Sequence, residues 1–361
     1  MTKKGIWILI SLVVIMGLFV GVFGCKEPTP TTPTTTTPTA TTPTTTAQPI
    51  ELTWYWELAY GTDNLVDHWW MDEVEARTNG RVHFNRVQGG SLGSIAQTPL
   101  LVKDRVTNLG LVTSVYNPAE YALTTVTTLP FLSGDQLAFS LAAYDLMQDP
   151  AMQAQYTAQN SLILFNYYSE PMEIVSHVAA TTIEELKPLK IRAHGGGADA
   201  CAAAGLIGVA IPWPDIAQAG ETGVIDAAIV PVPSVARDAG LADIFEYALR
   251  VPIYYFEYSN VINLDDWNAL PSDIQQIMLD LAKEAPRKNY DFFVEAGVGA
   301  WADFEAAGVE QVTWSQEELD KFTQIGGEPV QEKWVTDMKA QGLPGQEILD
   351  QFHSLISQYG G

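Results

Sequence analysis

The 361-residue chain has only two cysteines, Cys25 and Cys201, which allow one disulfide at most and are too few for a cysteine-based zinc site. It is also short of positive charge. Nineteen lysines and arginines stand against 43 aspartates and glutamates, a formal net charge of −24 at pH 7. Such an excess repels nucleic acid and anionic lipid, so an anionic ligand has to be held by local positive groups. The histidines, His68, His83, His177, His194 and His353, are scattered without metal-ligand spacing. There is no Asp/Asn/Gly calcium loop, no Gly-x-x-x-x-Gly-Lys-Ser/Thr loop and no Gly-x-Gly-x-x-Gly fingerprint. No metal and no cofactor are therefore expected.

Long apolar runs are confined to one, Ile6 to Phe23, which comes after Lys3 and Lys4 and ends at Gly24-Cys25. That order reads as a lipoprotein signal over residues 1–24, with Cys25 as the acylated first residue of the mature chain. The alternative is an uncleaved membrane anchor, since the run is nearly long enough to span a bilayer. Either reading places the chain beyond Cys25 outside the cytoplasm, attached to a membrane. Cleavage removes two lysines and no acids, so −24 becomes −26. Acylation of Cys25 leaves Cys201 as the only thiol and excludes an internal disulfide. Lying in the Ala-rich stretch 198–204, Cys201 reads as a buried small apolar residue.

Residues 25–49 are almost entirely threonine and proline after the first few positions, with nothing to join a core. They form a tether, and its 22 residues from Pro28 to Pro49, at about 3.1 Å each, reach up to about 70 Å. The remainder, 50–361, has the composition of a globular region large enough for two lobes.

Within 50–361, strands alternate with helices, the pattern of an α/β fold. Strands are predicted at 50–58, 81–87, 108–113, 162–168, 173–177, 189–193, 225–230 and 254–263. Helices are predicted at 64–78, 96–102, 137–147 and 199–204. A last helical region, 272 to about 307, is opened by a capping box of Ser272 and Gln275 and interrupted only at Pro286. At about 1.5 Å per residue it runs on the order of 50 Å, enough to brace two lobes at once.

Six segments in order carry a family resemblance over nearly all of 50–361. They are Val74–Val82 (VEARTNGRV), Gly90–Gly93 (GSLG), Leu129–Phe131 (LPF), Leu186–Arg192 (LKPLKIR), Gly223–Asp226 (GVID) and Trp267–Leu270 (WNAL). Through them the chain resembles the substrate-binding proteins of tripartite ATP-independent periplasmic (TRAP) transporters. The resemblance implies a two-lobed clamp with crossover strands and a long brace helix, lobe I at about 50–172 plus 255–300 and lobe II at about 173–254 plus the C-terminal part. It also implies a small organic carboxylate as ligand, held by Arg192, and the transporter's membrane permease subunits as partners.

The chemistry of Arg192 agrees with that role, because guanidinium offers a rigid fork of donors to both oxygens of a carboxylate. In the family it resembles, many acid-binding members carry a second arginine twenty residues earlier, where this chain has Met172 beside Glu173. After Gly223 it reads Asp-Ala-Ala-Ile-Val-Pro, 226–231, in place of the family's more polar strand. A monocarboxylate with a mainly apolar or aromatic body is therefore expected. The candidate ligand-binding residues are Arg192, Trp213, Tyr60, Trp56, Tyr116, Tyr168, Met172, Val230 and Phe256, and strand alternation allows only one of each neighbouring aromatic pair to face the cleft.

Two other function classes stay in view. Gly89-Gly90-Ser91-Leu92-Gly93 matches a nucleophile elbow and His194-Gly195-Gly196-Gly197 an oxyanion run, the marks of a secreted hydrolase using Ser91. The chain order of the two motifs is the reverse of that in esterases, and the resemblance accounts for both glycine runs. A tethered adhesion or scaffold protein also fits the anchor, but it predicts no closing cleft.

Overall fold

The computed structural model describes residues 48–59 and 61–361. The signal, Cys25, nearly all of the tether and Tyr60 lie outside the described residues. Among the described residues no helix is long and apolar enough to cross a membrane.

Nine strands form one sheet: β1 (Ile50–Tyr55), β2 (Val82–Val87), β3 (Leu109–Val112), β4 (Ser161–Ser176), β5 (Lys190–Arg192), β6 (Ile207–Val209), β7 (Ala227–Pro231), β8 (Tyr247–Asn263) and β9 (Glu310–Thr313). Their order is β2-β1-β3-β8-β4-β7-β5-β6, with β9 also on β8. The long strands β4 and β8 pair antiparallel through the centre, from Ser161↔Asn263 to Ser176↔Tyr247. One half of this ladder carries β3, β1 and β2, and the other carries β7, β5, β6 and β9. Two parallel wings sharing a pair of crossover strands make a two-lobed α/β architecture. Helices cover its faces, as buried parallel strands require.

The turn chemistry of the matched segments explains their residues. In VEARTNGRV, Asn79 and Gly80 take φ of +53° and +72°, and Gly80 N–H returns to Glu75 O at 2.9 Å, which ends the helix Leu65–Arg77 just before β2. In GVID, Asp226 Oδ2 accepts from Lys190 N–H at 2.8 Å and ties the start of β7 to the start of β5.

The crossover strands are longer than the sequence suggests. Ser169-Glu170-Pro171 reads as a break between two strands, yet β4 runs through it with a register shift between Tyr168 and Pro171. Glu170 stays inside because Ser234 N–H and Oγ both donate to its carboxylate at 2.7 Å, from 64 positions away. Pro171 falls where the ladder is already interrupted. β8 begins at Tyr247 rather than Tyr254, and Pro252 stands beside a second register shift, between Met172 and Ile174 of the partner strand.

The brace helix Ser272–Ala307 is continuous through Pro286 for 36 residues. It packs on β4 and on the helices Leu65–Arg77, Gln136–Leu146 and Ser234–Asp238, so it touches both lobes. Its expected capping box does not form. The N-cap is Pro271, and Gln275 Nε2 donates to Trp267 O at 2.7 Å instead, because the turn after the helix Leu264–Ala269 lies within its reach.

The C-terminal part also differs from the expectation that all of it joins lobe II. β9 does so, and Trp314 Nε1 donates to Ala180 O at 2.9 Å. The helices Glu328–Ala340 and Gly345–Gln358 turn to the other lobe: Trp334 Nε1 donates to Thr125 Oγ1 at 2.8 Å, and Phe352 meets Phe139 edge-on at 5.1 Å. Periodicity reveals an apolar helix face but not its partner.

Candidate functional site

A cavity of about 470 Å³ lies where several strands end. Trp56 follows β1, Tyr116 follows β3, Arg192 ends β5 and Pro231 ends β7, while the crossover strands contribute Met172, Phe256 and Tyr258. Ligands of open α/β sheets bind outside the carboxyl ends of the strands for this topological reason. The volume falls in the range of small-molecule sites, about 300–1,000 Å³.

Arg192 is only 1% exposed. Its Nε donates to Ile211 O and its Nη1 to Ile229 O, both at 3.1 Å, and its guanidinium carbon lies 5.8 Å from the centre of the Trp213 ring. No carboxylate among the described residues pairs with it. Burial holds its pKa below the usual arginine value, yet guanidinium remains charged at any physiological pH. Two backbone carbonyls fix the plane of the fork and leave part of it for the cavity. A buried cation without an anion is costly, and a ligand carboxylate relieves that cost.

His194, next along the chain from the β5 segment, also lines the cavity. Burial and the Arg192 charge push its pKa down to about 3, so it is neutral. Its Nδ1 lies 2.8 Å from the Tyr254 hydroxyl. Two carboxyls also line the cavity. Glu57 accepts from Ile95 N–H, and Asp63 is 6% exposed, with burial and the charge of Asp238 raising its pKa to about 7. Among the described residues no group of three or more His, Cys, Asp and Glu is arranged to hold a metal ion.

Of the residues expected at the site, Arg192, Trp213, Trp56, Tyr116, Met172 and Phe256 line the cavity. Tyr60 lies outside the described residues. Two expectations are corrected. Tyr168 is fully buried in the core beside Phe139, with its hydroxyl accepting from Asn166 Nδ2 at 2.7 Å, and Val230 is fully buried against Val175 and Phe245. Alternation decides the second case, since Pro231 rather than Val230 reaches the cavity, whereas neither Tyr167 nor Tyr168 does because core covers both faces of β4 there. Tyr258, two positions from Phe256 on the same strand face, was legible by that rule. Asp63 was not, because it stands in an aperiodic turn after β1. Cys201 is 1% exposed, with its thiol pKa pushed up to about 12 by burial, which suits an inert core residue.

The hydrolase motifs do not assemble into a triad. Ser91 is exposed in the turn after β2, and His194 Nδ1 engages Tyr254. The glycines after His194 serve packing: a Cβ on Gly196 would sit 2.0 Å from Thr128 O.

Solved structures of similar shape include a TRAP periplasmic solute-binding protein from Desulfovibrio salexigens (23% identity, TM-score 0.77, covering 86% of this chain and 97% of that one). Another, from Rhodoferax ferrireducens, was solved with copurified benzoate (21%, TM-score 0.77, covering 86% and 98%). A third, from a marine metagenome, is described as specific for aromatic acid ligands and holds 3-hydroxybenzoate (18%, TM-score 0.78, covering 87% and 100%). At these identities the likeness establishes the fold. The model of the DctP family matches residues 65–337, three quarters of the sequence and nearly all of both lobes. On that match the chain belongs to family 7 of the bacterial extracellular solute-binding proteins, the non-enzymatic ligand-capturing components of TRAP transporters.

Proposed function

We propose that this protein captures a small monocarboxylate with a mainly apolar or aromatic body, closes its lobes around it and delivers it to the permease subunits of a TRAP transporter. The observation that carries the reading is Arg192, a buried cation lining the cavity with two backbone carbonyls and, among the described residues, no carboxylate as partners. In a closed cleft a carboxylate loses its water, and charge-assisted bonds from guanidinium replace that hydration. Met172 supports a single carboxylate, because it lines the cavity where other members carry a second arginine. The aromatic walls offer flat apolar surface for a ring. Lipid attachment through Cys25 and the 25–49 tether would keep the clamp beside its permease. Native mass spectrometry of the protein gently extracted from membranes tests the ligand class directly. A copurified organic monoacid is the expected result, and a copurified sugar, cation or neutral solute overturns it.

A further inference from the structure

The cavity has a second polar end, distinct from Arg192. Asp63 lines it and is 6% exposed, and besides its own backbone N–H the Trp56 indole N–H approaches its carboxyl. Trp56 also lines it, is 1% exposed, and its indole N–H makes no hydrogen bond. That N–H is near enough to ease a charge on Asp63 but falls short of hydrogen-bonding geometry. Arg192 ends β5 whereas Trp56 and Asp63 follow β1, and β3, β8, β4 and β7 stand between those two strands in the sheet, so the two polar ends are apart. The rings of Phe256 and Tyr258, 5.0 Å apart and edge to face, supply apolar wall to the same cavity.

A buried carboxyl with no well-aligned donor from another residue and a buried indole N–H with no acceptor in hydrogen-bonding geometry each carry a desolvation cost. One ligand group removes both. A hydroxyl donates its proton to the Asp63 carboxylate while its oxygen accepts from the Trp56 N–H, whereas an ammonium serves Asp63 and leaves Trp56 unmet. We propose that Asp63 and Trp56 form a hydroxyl-reading subsite, so that the ligand is a hydroxylated carboxylic acid with its carboxylate on Arg192. This assignment rests on the carboxylate reading of Arg192 and adds the specificity of the far end.

The test is titration calorimetry on the full chain in detergent, dialysed free of copurified solute. The probes are benzoate, 3- and 4-hydroxybenzoate, phenylacetate, 3-hydroxyphenylacetate and 3-(aminomethyl)benzoate. At least one hydroxylated acid is expected to bind about tenfold or more tighter than its unhydroxylated parent, because a site built for a hydroxyl discriminates against its absence. Asp63→Leu and Trp56→Phe should each bring that ratio to within about threefold while the parent acid still binds, and Trp56→Phe serves if Asp63→Leu fails to fold. An unchanged ratio in these variants, with binding abolished in Arg192→Ala, overturns the hydroxyl subsite and leaves the carboxylate reading standing. Preference for the aminomethyl acid overturns the hydroxyl in favour of an ammonium. Wild-type affinity in Arg192→Ala overturns the carboxylate reading, and failure of every probe to bind overturns both.

Discussion

Thr62, in the turn after β1, donates from its hydroxyl to Asp238 Oδ2 at 2.7 Å, and its backbone N–H reaches the same oxygen at 3.2 Å. Asp238 ends the short helix Ser234–Asp238, which Glu170 of β4 caps through Ser234. The bond joins lobe I to lobe II beside Asp63 and Val235, at the edge of the cavity. A contact between lobes at the mouth of a cleft stabilises whichever state brings the lobes together, and a ligand adds to that bias through its differential affinity.

Thr62→Val removes the hydroxyl and keeps the shape of the side chain. A hydrogen bond to a charged acceptor contributes about 1.5–3 kcal/mol, and the remaining backbone bond retains part of it. The variant should bind its acid about 3- to 30-fold more weakly, mainly through faster release, with the free protein more expanded in small-angle scattering. Unchanged release and unchanged scattering would show that the bond does not restrain the lobes.

Arg192→Ala should weaken carboxylate binding by about 2–5 kcal/mol, the usual cost of stranding one partner of a buried charge pair. That is a loss of roughly 30- to 5,000-fold in affinity. Arg192→Lys should recover only part of it, since an ammonium cannot reproduce the planar fork. Calorimetry on folded variants decides, and an affinity within about threefold of wild type for Arg192→Ala would sink the clamp.

Asp67 provides a test of stability against pH. It is fully buried, with Tyr167 donating to one oxygen and Asn260 Nδ2 to the other at 2.8 Å, and burial raises its pKa to about 7 despite these donors. The folded state therefore holds a proton that the unfolded state releases near pH 4. The resulting stability is complete below about pH 4 and is lost as pH rises toward 7, by up to about 1.4 kcal/mol per pH unit for one such group. Asp63, Glu170 and Glu173, each raised to about 7 by burial first of all, act with the same sign. The wild type should melt at a lower temperature at pH 8 than at pH 5, and Asp67→Asn should show a smaller drop. Parallel drops in the two proteins would refute the assignment.

Attachment is tested at Cys25. Cys25→Ala should leave the precursor uncleaved by the lipoprotein peptidase and reduce fatty-acid labelling to background. Acyl labelling that persisted in the variant would show that the anchor lies elsewhere.

Much of the fold was legible because its signals are local. Alternation marked β1, a long helical stretch interrupted only at Pro286 marked the brace helix, and Asn79-Gly80 marked a helix end. Arg192 was legible too, since an arginine closing the short apolar strand of a matched segment has few other tasks in so acidic a chain. The covered part of β4 was not, because Ser169-Glu170-Pro171 has the composition of a loop. It remains strand only through partners on the helix Ser234–Asp238, far away in sequence.

The sequence by itself determined the family, the alternation of strands and helices, and the arginine of the site, all of which are written in residue type and short-range spacing. Only the tertiary structure decided that Tyr168 and Val230 face the core, that the last two helices pack on lobe I, and that Asp63 and Trp56 share a cavity with Arg192. Which face of an element is buried, and against what, is set by contacts between residues tens to hundreds of positions apart, and no local period encodes such a pairing.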